Sequence, residues 1–172
     1  MNIAPDPKSI PQGTLLSPEA NQAPAQASAT GVLTVVSDRD AWQPADLSAD
    51  GRFVAYVDRG DLNVWRWDRA TGVSTLIGGQ TFVSPSITSD GGSVAFEAHR
   101  TIDGLPRQDV LLWHAATGTI EQLTSGAGRS NEPSTSADGS TIAFYSTTTH
   151  LVPNDTNGFA DVFVWHRPNV SQ

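Results

Sequence analysis

The sequence predicts an all-β fold of repeated four-stranded antiparallel units, and three observations lead to this prediction. The 172 residues include 15 Gly and 11 Pro but only 16% charged residues, a profile typical of β-rich proteins with many turns. An Asp-Gly turn, followed each time by an apolar run, occurs at 50–51, 90–91 and 138–139. The tripeptide Ala-Thr-Gly, followed each time by a short strand-like run, occurs at 29–31, 70–72 and 116–118. Repetition at this period predicts a repeat architecture.

Residues 1–28 differ from the rest of the chain because Pro, Ala, Gln and Ser dominate them. Such a segment buries too little apolar surface to offset its ordering entropy, so we predict an extended arm, with a docked arm as the alternative. The first seven residues have neither a basic start nor an apolar core, so no signal peptide is expected in this sequence, and the signal of an exported protein would have been removed or lie outside it.

Each repeat is predicted to form four strands, named a, b, c and d in chain order. Strand a follows a proline, the Asp-Gly turn leads to strand b, a variable loop leads to strand c ending in Trp, and the Ala-Thr-Gly type of turn leads to strand d. The prolines are Pro44, Pro85 and Pro133, and the c strands cover 64–67, 110–113 and 162–165. These c strands are apolar at successive positions, as expected for strands covered on both faces by neighbouring sheets.

The spacing of the turns predicts a β-propeller. Successive Asp-Gly turns lie 40 and 48 residues apart (90 minus 50, 138 minus 90), near the period of about 40–45 residues of four-stranded blades. The predicted organisation is a three-blade unit over 29–168. It comprises a displaced strand d at 29–37, a first blade at 38–78, a second at 79–125, and strands a to c of a third at 126–168. An ordinary β-sandwich is the alternative.

The ends of the repeat region predict self-association. The third unit has no strand d after strand c, whereas the strand d at 29–37 has no a, b and c before it. Three blades are too few for a ring, since propellers typically have about 4 to 8. We therefore predict a six-bladed homodimer, in which the N-terminal strand completes the third blade across two chains. A fragment of a longer propeller, a larger ring and an open assembly are the alternatives.

The segment Pro-Ser-Ile-Thr-Ser-Asp-Gly-Gly-Ser-Val-Ala-Phe at 85–96, with related segments at 44–56 and 133–144, resembles the WD40-like PD40 repeat of TolB-type β-propellers. The stretch 151–164 resembles a variant common in bacterial proteins of that group. The resemblance covers residues 29–167 and implies a six-bladed architecture and a periplasmic or extracellular location. It is weak for function, because such propellers include scaffolds, peptidase gating domains and some lyases.

Composition excludes several partners and chemistries. The net charge is -8 and no Lys/Arg cluster offsets it, so nucleic acid and anionic membrane surfaces are not expected partners. The chain has no cysteine, which excludes disulfides and thiolate metal sites. No apolar stretch approaches the roughly 20 residues needed to cross a bilayer, so membrane insertion is not expected.

Binding is expected at the end of the propeller that carries the variable b–c and d–a loops. Residues just before the strand-a prolines should approach the channel entrance there. The predicted recognition set consists of Trp42, Gln43, Ser84, Arg129, Asn131 and Glu132. A plain solvated loop is the alternative.

The third b–c loop contains Asp155, Asn157 and Asp161, whose oxygen spacing resembles that of calcium loops, with Gly158 allowing a sharp turn. The pattern lacks the distal bidentate Glu. The alternative is a hairpin loop in which Asp155 and Asn157 bond the backbone and Asp161 starts strand c. No other cofactor is predicted.

No nucleophile elbow, phosphate loop or paired-histidine motif is present. His99 and His150 are placed in b–c loops of different blades. The leading hypothesis is a non-catalytic binding or assembly module that contacts a protein or glycan partner. A polysaccharide lyase or hydrolase with a channel-mouth site, and a structural subunit of an extracellular assembly, are the alternatives.

Overall fold

The computed structural model describes residues 34–37, 40–79, 81, 85–153, 155 and 157–168, without the side chains of 42–44. The chain divides into two compact units, Met1–Thr34 and Val35–Gln172. Only Thr34 of the first unit is described, so the account below concerns the second. Within it, the predicted strand at 29–37 is represented by residues 35–37, which lie outside the assigned strands. The arm at 1–28 lies outside the described residues.

Three antiparallel sheets follow one another along the chain, and in each the strands pair in chain order. Sheet 1 contains β1 (Ala41–Leu47), β2 (Phe53–Asp58), β3 (Val64–Asp68) and β4 (Val73–Gly78). Sheet 2 contains β5 (Ser86–Ile87), β6 (Ser93–Ile102), β7 (Leu105–His114) and β8 (Thr119–Gln122). Sheet 3 contains β9 (Ser130–Thr135), β10 (Thr141–Ser146) and β11 (Asp161–His166). The predicted all-β fold with four-stranded antiparallel sheets is confirmed, with three sheets in the chain.

The Asp-Gly turns share one hydrogen-bonded geometry. In the third turn, Asp138 Oδ1 accepts from the Ser136 hydroxyl at 2.7 Å and from the Ser140 N–H at 3.0 Å. These bonds, the Ser136 one foremost, stabilise the carboxylate and lower the pKa of Asp138 to about 2. The same bonds form around Asp50 and Asp90. The turns therefore fix the a–b hairpins locally.

The same turns also join neighbouring sheets. The Ala49 N–H donates to the Ser89 carbonyl at 2.9 Å, and the Ser89 N–H donates to the Ala137 carbonyl at 2.8 Å. These three residues occupy the same position in their turns, between the hydroxyl residue and the Asp. A directional chain of hydrogen bonds thus runs from each sheet to the next.

Two of the three strand-a prolines lie inside strands, not before them. Pro44 lies in β1 and Pro133 lies in β9, and in both strands the register against the following strand shifts around the proline. Proline has no N–H to give to the ladder, so it occupies a bulge where pairing is interrupted. The prediction that strand a begins after the proline is wrong for sheets 1 and 3.

The hairpin formed by β6 and β7 in sheet 2 is longer than the corresponding hairpin of sheet 1. The strands β6 and β7 pair continuously out to Ile102 and Leu105, with the turn at Asp103 and Gly104. His99 therefore lies in β6, opposite Gln108, and not in a b–c loop as predicted.

The core consists of two apolar layers. One lies between sheets 1 and 2 and includes Val57 and Phe96, and the other lies between sheets 2 and 3 and includes Leu112 and Ile142. All four residues 110–113 of β7 are at most 4% exposed, because sheet 2 is covered on both faces. Among the described strands, sheets 1 and 3 are each covered by another sheet on one face.

Candidate functional site

The predicted recognition set is only partly described. Trp42 and Gln43 belong to β1, but their side chains are outside the described residues, as is Ser84 entirely. Asn131 and Glu132 lie in β9 and not in a d–a loop. Arg129, just before β9, is exposed and forms a parallel bridge with Gln108. The structure thus brings Arg129, Asn131 and Glu132 together at the start of sheet 3.

The bulge in β9 gives this end of sheet 3 an unusual backbone. Glu132 is exposed and has a φ of 52°, a left-handed conformation that is strained for a residue other than glycine. Asn131 Nδ2 donates to Tyr145 Oη at 3.0 Å, and its buried Oδ1 has no hydrogen-bond partner within the described part of the chain. Bulges commonly re-aim side chains near binding sites. Here the bulged strand holds an exposed Glu132 directly after Asn131, whose buried amide oxygen is unsatisfied among the described residues.

The loop with the predicted calcium ligands is held by its own hydrogen bonds. Asn157 Nδ2 donates to Asp161 Oδ2 at 2.8 Å, and Asn157 Oδ1 accepts from the Phe159 N–H at 2.8 Å. Among the described residues, no three His, Asp or Glu side chains converge to hold a metal ion. The calcium site stays a prediction.

The two faces of each sheet are distinguished by the direction of the chain. The forward face of a sheet is the face toward the next sheet along the chain, and the backward face is the opposite one. Ala55 and Val64 lie on the forward face of sheet 1, and Ala95 and Val110 occupy the same repeat positions on sheet 2. All four are 0% exposed.

The forward face of sheet 3 carries the same residue types, and no sheet formed by the described residues covers it. Ala143 and Val162 occupy the repeat positions of Ala95 and Val110. Val164 comes two residues after Val162 in β11, so its side chain lies on the same face. Val162 is 78% exposed and Val164 is 52% exposed. Since the equivalent valines of sheets 1 and 2 are fully buried, the forward face of sheet 3 has the composition of a covered sheet.

The backward face of sheet 1 has the matching composition. It carries Tyr56, Trp65 and Trp67, where the backward face of sheet 2 carries Phe96, Leu111 and Trp113 against the forward face of sheet 1. A groove of about 450 Å³ lies along this aromatic surface and is also lined by Val35 and Val36. Leu76, which lies opposite Trp65 on the same face, is 51% exposed.

The strand β11 is an edge strand within the described residues. Sheets 1 and 2 each place a fourth strand beside strand c, whereas β11 pairs only with β10. A groove of about 470 Å³ runs beside it, lined by Val152, Asp161 and Val164 among others. Unpaired N–H and C=O groups at such an edge are a template for another strand.

Sequence reasoning missed this uncovered forward face, although a signal for it was present. Val64, Val110 and Val162 each precede a strand-c Trp by three residues, so the third valine could have been assigned to a covered face that lacks its cover. It also missed Glu97, which occupies the repeat position of Val57 and Tyr145. An acid within an otherwise apolar run was the signal there.

The sheets and their stacking define a β-propeller fold of the TolB-like kind. The structure is similar to that of TolB from Acinetobacter baumannii, with a TM-score of 0.51, 22% identity, and coverage of 74% of this chain and 30% of that protein. It is also similar to the tricorn protease, with a TM-score of 0.55, 15% identity, and coverage of 72% and 12%. A protein assigned as TolB from Agrobacterium tumefaciens gives a TM-score of 0.51, 17% identity, and coverage of 76% and 52%.

These similarities establish the fold and nothing further. The chain spans between 12% and 52% of the length of these three proteins. A comparison with protein-family models gave no match, and a comparison with curated protein sequences gave none either. In the described part of the chain, no helix has the length and apolarity needed to span a membrane.

Proposed function

We propose that this protein is a non-catalytic binding and assembly module, and that two copies close into a six-bladed propeller. One observation carries the proposal: Val162 is 78% exposed, whereas the repeat-equivalent Val64 and Val110 are 0% exposed. An apolar face of this kind is commonly an interaction surface. The second copy is the proposed occupant, because the backward face of sheet 1 carries aromatic residues like those that cover Val64 at the interface between sheets 1 and 2.

In the proposed dimer, the forward face of sheet 3 packs on the backward face of sheet 1 of the second copy. The turn-to-turn hydrogen bonds would continue from the Ala137 N–H to Ala49 of the partner subunit. Gly51 supports this arrangement. A Cβ on Gly91 would strike Phe53 of the preceding turn, whereas no described residue lies within 4 Å of a Cβ on Gly51. The second copy would bring Thr141 of the partner subunit, the repeat equivalent of Phe53, to that place.

The edge of β11 is proposed to receive the strand at 29–37 of the second copy. The placement of Val35 and Val36 supports this, because they line the groove on the backward face of sheet 1. That face is where the third sheet of the second copy would lie. The strand therefore starts next to the edge that it is proposed to complete.

The end of sheet 3 with Arg129, Asn131 and Glu132 is proposed to contact a protein or glycan partner, together with Trp42, Gln43 and Ser84. The strained, exposed Glu132 supports this part of the proposal, because such strain persists mainly at functional positions. The resemblance to TolB-type propellers supports a periplasmic or extracellular location.

The mass of the full chain in solution tests the self-association. We expect light scattering to give twice the chain mass of 18.2 kDa. Val162→Asp should reduce the mass to that of one chain, because a charge would be buried in an apolar interface. The control is Val73→Asp. Val73 is 58% exposed and lies in β4 on the opposite face of sheet 1 from Leu76, so it is outside the proposed interface.

Val73→Asp should remain dimeric. A natural chain that stays monomeric at high concentration, or a Val162→Asp variant that stays dimeric, would overturn the proposal. A mass above two copies would instead indicate a larger ring or an open assembly.

A further inference from the structure

The long hairpin of sheet 2 places three potential ligands on one side. Glu97 and His99 are two residues apart in β6 and so lie on the same face of the sheet. Gln108 lies directly opposite His99 in β7. Two ligands at positions i and i+2 of one strand, with a third from the paired strand, converge without any loop. We propose that Glu97, His99 and Gln108 bind one divalent transition-metal ion.

The hydrogen-bonding pattern around His99 supports a cation. His99 Nε2 lies 2.8 Å from Glu97 Oε1, an acceptor, and 2.8 Å from Gln108 Nε2, a donor. One ring nitrogen either donates or accepts, so it cannot satisfy both neighbours. A metal ion accounts for both neighbours when the Gln108 amide is turned so that its oxygen faces the ring. The ion then takes the lone pair of a deprotonated Nε2 and binds the carboxylate and amide oxygens together.

Two buried acceptors point to the same conclusion. Glu97 is 1% exposed, and its Oε2 has no hydrogen-bond partner in the described part of the chain. The buried Oε1 of Gln108 also has none there. Turning the Gln108 amide by half a rotation exchanges its oxygen and nitrogen. The oxygen then faces His99 Nε2, as Glu97 Oε1 does.

The spacing and the ligand types define the ion. Two metal–ligand bonds of about 2.1 Å that meet at a right angle place their ligand atoms about 3 Å apart. His99 Nε2 lies at a similar distance, 2.8 Å, from Glu97 Oε1 and from the Gln108 amide. One imidazole with two oxygen ligands suits Zn²⁺ or Mn²⁺ better than Ca²⁺, which prefers oxygen ligands alone. The His99 side chain is 27% exposed, so the ion would keep at least one position open to water or to an external ligand.

Calorimetric titration of the full, chelator-treated chain with Zn²⁺ and, separately, Mn²⁺ tests the proposal. We expect one saturable site per chain for at least one of these ions. His99→Ala and Glu97→Gln should each weaken binding by more than about 100-fold, since each removes a direct ligand and loss of an outer partner alone costs 10–100-fold. Glu97→Gln keeps the shape of the side chain, so it separates ligand loss from misfolding.

His114→Ala is the matched control. His114 Nε2 lies 3.3 Å from Glu121 Oε2 in an exposed pair, and this variant should bind as the natural chain does. Gln108→Glu should strengthen binding and enlarge the rise in Tm on adding the ion, because a carboxylate replaces the amide oxygen. The proposal is overturned by the absence of a saturable site for both ions, by unchanged affinity in His99→Ala, or by an equal loss in His114→Ala. It is likewise overturned if Gln108→Glu brings no gain.

Discussion

Gly91 combines a turn conformation with a contact between two sheets. Its φ is 69°, and an added Cβ would overlap Cδ2 of Phe53. The Phe53 ring has little room to move, because the Arg66 guanidinium lies over it at 4.4 Å and Arg66 Nη1 donates to the Gly91 carbonyl at 2.6 Å. We therefore expect Gly91→Ala to lower the free energy of unfolding by strain and by overpacking together.

Gly118→Ala separates these two effects. Gly118 has nearly the same φ, 68°, but no described residue lies within 4 Å of an added Cβ. The conformational strain is shared, so Gly91→Ala should cost about 1–3 kcal/mol more than Gly118→Ala, the usual penalty for overpacking. Urea denaturation of both variants measures the difference. Equal losses would show that Phe53 yields and that the contact is unimportant.

At the scale of the strand, repeat equivalence predicts the register of the proposed strand exchange. In sheet 1, Leu76 lies opposite Trp65, and in sheet 2, Gln122 lies opposite Leu111. Both residues of the last strand come four positions after the Gly of Ala-Thr-Gly, and both strand-c partners come two positions before the final Trp. The same count places Val35 opposite Phe163 of the partner subunit.

A disulfide tests this register, because the natural chain has no cysteine. Chains with Val35→Cys mixed with chains carrying Phe163→Cys should form a covalent dimer on oxidation, visible by non-reducing electrophoresis. Val36→Cys with Phe163→Cys is the control, since a shift of one residue points the side chain to the other face. A chain that is dimeric by mass but cross-links equally well through Val36 would refute the register while leaving self-association intact.

The sequence predicted the turns and the strand order well, because the Asp-Gly and Ala-Thr-Gly signals act within a few residues. It failed where pairing between distant strands decides the outcome. Proline before a strand and proline within a bulge are the same local pattern, so the start of β9 before Pro133 could not be predicted. His99 was assigned to a loop because continuous pairing of β6 with β7 depends on register and not on composition. The convergence of Glu97 and Gln108 on His99 depends on the same pairing.

At the scale of the whole molecule, both interfaces between sheets join unlike faces. A forward face rich in Ala and Val meets a backward face rich in aromatic residues each time. An association that repeats this rule joins the forward face of sheet 3 to the backward face of sheet 1. Each copy then uses two different surfaces, so two copies close with two equivalent contacts.

Two charged variants distinguish association of sheet 3 with sheet 1 from association of sheet 3 with sheet 3. Val162→Asp blocks the forward face of sheet 3, and Leu76→Asp blocks the backward face of sheet 1, where Leu76 is 51% exposed. Each variant alone should be monomeric, since every contact would contain one charged face. An equimolar mixture should form dimers, because one of the two contacts then joins two intact faces. That contact is single, so the dimers should dissociate at higher concentration than those of the natural chain in sedimentation velocity. If sheet 3 instead packed on sheet 3 of the second copy, Leu76→Asp alone would stay dimeric and mixing would add nothing.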